Sequence, residues 1–109
     1  MNEYLKQYSV AVEHPEASAF EHLNMLMVRD RLAEQESSLT PDEKRRLKAA
    51  DQRLLDQAAA FQAELTRITT LENEREHRQP APQHWWWYLD VLTSVPTASV
   101  ETQRMEFAG

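Results

Sequence analysis

Ser37-Ser38-Leu39-Thr40-Pro41-Asp42-Glu43 is the stretch on which the fold of this chain turns. Thr40 is placed to cap a helix, Pro41 falls at the first helical position, and Glu43 falls two residues later, where its carboxylate reaches back to the Thr40 amide. Asp42 and Glu43 also suit the positive end of the helix dipole. Leu39, just outside the cap, is positioned to staple the incoming chain to the new helix. A linker of about three residues between two helical patterns brings the second back antiparallel to the first.

Upstream, residues 15–37 contain no helix breaker after Pro15, which reads as the first residue of a helix. Phe20, Leu23 and Met27 form one apolar stripe, and Met25, Val28 and Leu32 form another. A surface that wide implies contact with more than one neighbour. Downstream, the pattern predicts one long helix over 41–77. Leu47, Leu54, Phe61 and Ile68 recur every seven residues, a coiled-coil-like spacing, while Ala50, Ala58, Leu65 and Leu71 widen the same face. Lys44, Arg45, Lys48, Asp51, Asp56, Gln62 and Arg67 read as the solvated side. This arm outruns its partner by about a dozen residues. Residues 1–12 are weakly patterned. Tyr4, Leu5, Tyr8 and Val12 sit at helical spacing, whereas Tyr8-Ser9-Val10-Ala11-Val12 alternates equally well as a short strand; a short helix is the favoured of the two.

Composition agrees with an all-α fold. The only glycine is residue 109, and the Asn-Gly and Asp-Gly turns of β-hairpins are missing. The chain's 109 residues allow one domain, expected over 1–96, with 97–109 a polar, flexible tail in which Met105 and Phe107 are possible anchors. Twelve Lys and Arg against 18 Asp and Glu give a net charge of −6, which opposes binding to nucleic acid or an anionic membrane. No apolar run is long enough for a membrane span or a signal peptide, and cysteine is absent, so the expected compartment is cytoplasmic.

Gln79-Pro80-Ala81-Pro82-Gln83 stops the second arm, and His84-Trp85-Trp86-Trp87-Tyr88-Leu89-Asp90-Val91-Leu92 follows. A short helix over 84–94, folded back on the hairpin, is expected. Successive residues on a helix point about 100° apart, so four consecutive aromatics cannot all face one core. Capping the open end of the hairpin is the plain reading of this run. The sharper one makes Trp85, Trp86, Trp87 and Tyr88 a partner-binding surface, since Trp and Tyr dominate interaction hot spots.

Other chemistry is thinly represented. Glu74 and His77 form the Glu-x-x-His pair of carboxylate-bridged metal bundles, but they lie in a polar helix end, so a solvated terminus is the expectation. His14 and His22 are two turns apart and His84 adjoins Trp85, none at zinc-binding spacing. No glycine-rich phosphate loop, nucleophile elbow or cysteine nucleophile occurs, so neither enzyme, cofactor nor metal is expected. The functional expectation is a non-enzymatic protein–protein interaction module: an adaptor, inhibitor or antitoxin-like acidic partner. The alternative is a homodimer in which two hairpins pair through the Leu23–Val28 and Leu47–Ile68 faces into a four-helix bundle. A metal-binding bundle comes third.

Overall fold

The computed structural model of the chain describes residues 1–94; the expected tail, with Met105 and Phe107, lies outside the described residues. Those residues form helices and turns, with no strand among them. Helix α1 spans Glu3–Ala11, α2 Ala19–Gln35, α3 Pro41–Asp56, α4 Ala58–Leu65, α5 Leu71–Arg78 and α6 Leu89–Ser94. Short 3-10 turns cover Glu36–Ser38 and Trp85–Tyr88.

The capped turn forms as its residues dictate. Thr40 Oγ1 accepts from the Glu43 amide at 3.1 Å, and the Glu43 carboxylate accepts from the Thr40 amide at 3.0 Å. Glu43 has a second task. Its other oxygen accepts from the Asn2 amide at 2.6 Å, and the Asn2 side chain donates to Gln35 at 2.7 Å. Asn2 also caps α1, its oxygen accepting from the amides of Tyr4 and Leu5. The short N-terminal helix is thereby tied to the turn it lies beside.

That helix changes how the two arms meet. They do not run side by side: α1 packs on both α2 and α3, while α2 finds its main partner on the other arm in α4. Leu5, Tyr8 and Val12 supply the buried face of α1, opposite Met25, Leu26, Val28 and Leu32 of α2 and Leu47, Ala50 and Leu54 of α3. The wide apolar faces expected to await a second copy are therefore largely filled from within the chain.

The first arm begins later than expected. Ser18, not Pro15, marks the start, its hydroxyl accepting from the Glu21 amide, and the Pro15 carbonyl instead accepts from His22 Nε2 at 2.9 Å. The single helix over 41–77 is replaced by three. Gln57 leaves helical geometry at φ −110°, yet Leu54, Ala58, Phe61 and Leu65 stay buried on both sides of it. An apolar stripe is the same for a straight helix and a bent one, which is why the pattern missed the bend. The second break, Thr66–Thr70, has a visible cause. Three threonines and an isoleucine in five residues are poor helix formers. Thr66 bonds back to the Ala63 carbonyl, and Thr70 caps α5 by accepting from Asn73. Ile68, expected in the buried stripe, is 37% exposed as a result.

Candidate interaction site

The chain reverses after α5 at Gln79, which takes the left-handed conformation at φ 48° and closes the helix by donating to the Arg75 carbonyl. Residues 80–83 then lead back to the tryptophans. The segment expected as one helix over 84–94 divides into the 3-10 turn and α6, and this division decides which rings face where. A 3-10 turn has three residues per turn, so side chains three apart eclipse each other. Trp85 and Tyr88, three apart, are both half-buried, Trp85 resting against the core and Tyr88 beneath the Arg75 guanidinium; Trp86 and Trp87 turn inward and are 2% and 0% exposed. The four aromatics, which cannot all face one core, divide into two buried anchors and two half-buried rings, so Trp86 and Trp87 follow the core-capping reading and Trp85 and Tyr88 remain as candidate contact rings.

One carboxylate oxygen holds the anchors. Asp30 Oδ1 on α2 accepts from Trp86 Nε1 and Trp87 Nε1, both at 2.8 Å, and pairs with His84 Nδ1 at 3.1 Å. Buried indole N–H groups require an acceptor, and a charged one makes the stronger bond. The rings are also framed by cations and by each other. Arg29 lies over Trp86 at 4.2 Å, Arg78 over Trp87 at 4.9 Å and Arg75 over Tyr88 at 4.8 Å. His84 stacks on Trp86 at 4.6 Å, and Trp85 meets Trp86 edge-on at 5.6 Å.

A second clasp joins α5 to α6. Arg75 donates to the Trp87 carbonyl at 2.8 Å and to both oxygens of Asp90, at 2.6 and 3.2 Å. Burial alone would raise the Asp90 carboxyl, but the hydrogen bonds and charge of Arg75 outweigh it and hold it below the usual carboxylate value.

Behind Trp86 lies a polar network that joins the three elements around the turn. Arg29 forms a two-pronged pair with Asp51 of α3, at 2.9 and 3.0 Å, and Tyr8 of α1 donates to Asp51 Oδ1 at 2.6 Å. Asp51 is therefore not part of the solvated face expected for it. Burial pushes the Tyr8 hydroxyl well above its usual range, and the neighbouring Asp51 charge adds to the effect. The Arg29 side chain is 5% exposed, and its Nη1 has no hydrogen-bond acceptor among the described residues.

Between this network and the aromatic turn is a cleft of about 440 Å³, walled by Arg29, Glu36, Asp51, Gln83, Trp85 and their neighbours. Glu74 and His77 lie elsewhere. Glu74 accepts from Arg78 and Thr69, and His77 Nδ1 bonds the Asn73 carbonyl. Burial would raise the Glu74 carboxyl, but Arg78 and Thr69 more than offset it and the net shift is downward. Among the described residues no three His, Cys, Asp or Glu side chains converge as a metal site.

Arg29, Asp30 and Asp51 were not legible as site residues. The available signal was stoichiometric: inward-facing tryptophans demand buried acceptors, and Arg29-Asp30 is the charged pair adjoining the apolar band of α2. No family model, curated protein or solved structure matches the chain.

Proposed function

We propose that this chain is a small acidic protein–protein interaction module, an adaptor or inhibitor without chemistry of its own, that engages its partner at the aromatic turn. The observation that supports this most is the division of the four rings. Trp86 and Trp87 are spent on docking the turn to Asp30, which leaves Trp85 and Tyr88 as the partly exposed rings of a braced support. Aromatic rings held rigid before binding lose little entropy on association, which is what an interaction hot spot requires. A surface of net charge −6 favours a basic partner.

Quantitative affinity capture from the source cell tests the reading, with the chain as bait. Wild type, the double variant Trp85→Ala with Tyr88→Ala, and a remote control, Phe20→Ala, would be compared. Phe20 is 71% exposed and far along α2 from Asp30, so the control alters an apolar surface of similar kind. A protein retained by wild type and control but lost from the double variant supports the reading. Identical capture by all three contradicts it.

Self-association is the second reading, and α6 favours it by leaving Val91 and Leu92 46% and 45% exposed. Light scattering separates the two. A dimer that persists in the Trp85/Tyr88 variant and dissociates in Leu92→Asp supports self-association.

No helix among the described residues is long and apolar enough to cross a membrane.

A further inference from the structure

We infer that the cleft beside Trp85 receives a lysine or arginine residue carried on a peptide segment of the partner. This rests on the interaction-module reading and names the partner's chemistry. The cleft offers three unmet groups. Arg29 Nη1 is a buried cationic donor with no acceptor among the described residues, and such a group gains from any acceptor oxygen brought to it. Glu36 stands on the cleft wall with its carboxylate free of hydrogen bonds and ion pairs among the described residues. Trp85, half-buried on the same wall, has an indole N–H without a partner there and rests edge-on against Trp86.

The charges decide what fits. Asp51 balances Arg29 through the two-pronged pair, so the Glu36 carboxylate is left uncompensated and an anionic ligand is repelled. A cation gains from Glu36 and from the Trp85 ring face. The ligand must also supply an acceptor for Arg29. A basic residue within a peptide has both: a main-chain carbonyl and a cationic head. Nη1 is closed to solvent in the unbound chain, so the carbonyl reaches it as the cleft wall opens around the Trp85 ring, which keeps its face to the cation.

The test uses the full chain titrated with capped alanine pentapeptides carrying lysine, arginine or norleucine at the centre, and with free L-lysine. Tryptophan emission and amide NMR shifts at Ala33 and His84 report binding. The lysine and arginine peptides are expected to saturate, with norleucine and free lysine weaker by about tenfold or more. Glu36→Gln is expected to weaken the lysine peptide by about fivefold while leaving the melting curve unchanged, because that carboxylate is exposed and unpaired. Absence of saturation, equal binding of the norleucine peptide or of free lysine, or indifference to Glu36→Gln each overturns the inference. If the peptides fail but the Trp85/Tyr88 variant still loses its partner in capture, only this inference falls; if capture is also indifferent, the module reading falls with it.

Discussion

Replacing Asp30 with alanine should release the aromatic turn. The side chain accepts from two indoles that are 2% and 0% exposed, and neither has another acceptor within the described residues. Each buried donor left unsatisfied costs about 1–3 kcal/mol, so the pair costs about 2–6 kcal/mol. His84 is 23% exposed at its side chain and recovers a bond to water, so it adds little. Domains of this size have stabilities of about 5–15 kcal/mol, which makes the loss a large fraction of the whole. Asp30→Asn is the discriminating control. Its amide oxygen still accepts both indoles, and only the charge assistance is lost, about 1 kcal/mol. Urea denaturation followed by tryptophan emission and by far-ultraviolet circular dichroism reads both variants. Asp30→Ala is expected to show red-shifted emission in the native baseline, or an emission transition that precedes the helical one, because residues 84–94 detach before the α1–α4 core melts. A stability within about 0.5 kcal/mol of wild type, with unchanged emission, would refute the assignment of Asp30 as the latch.

Four further outcomes are expected. Asp51→Ala leaves the Arg29 guanidinium and the Tyr8 hydroxyl unpaired in the interior and should cost about 3–5 kcal/mol, read by denaturant midpoint. The raised Tyr8 hydroxyl stays protonated in the folded chain while the unfolded chain ionises near pH 10. Its contribution is therefore complete below that pH. Above it, the stability difference between wild type and Tyr8→Phe should shrink by about 1.4 kcal/mol per pH unit. Asp90 is shifted the other way: its lowered carboxyl contributes stability above the unfolded value, and this is lost as pH falls below about 4 and through the folded value. In acid, emission from the aromatic turn should change in wild type and not in a variant already lacking the clasp, Asp90→Ala. Finally, Thr40→Ala removes half of the capping box and should cost about 1 kcal/mol in thermal or chemical melts.

The parts of this fold that were legible are those set by local chemistry. Thr40, Pro41 and Glu43 specify a helix start within four residues, and the cap forms with both of its bonds. The all-helical class followed from the missing internal glycine and from the 3,4-spaced stripe. The course of the second arm was not legible, because Leu54, Ala58, Phe61 and Leu65 stay on one face whether Gln57 continues the helix or bends it. The threonines at 66, 69 and 70 announce the next break, but the seven-residue recurrence of Leu47, Leu54, Phe61 and Ile68 runs across them and masks it. The place of α1 between the arms depends on long-range bonds from Asn2 to Glu43 and Gln35, which no local pattern encodes. At the candidate site the unusual residues were visible, and so was the need for the rings to divide, but which of them turn inward was not. It depends on the difference between about 100° and about 120° of turn per residue, and on an aspartate more than fifty positions away.

Exchange of the three indole N–H protons with solvent, resolved by ¹H–¹⁵N NMR of the full chain, tests that division most directly. The account predicts slow exchange for Trp86 and Trp87, both released in Asp30→Ala, and fast exchange for Trp85 in either protein. Equal exchange of all three indoles, or protection of Trp85 with exposure of Trp86, would contradict it.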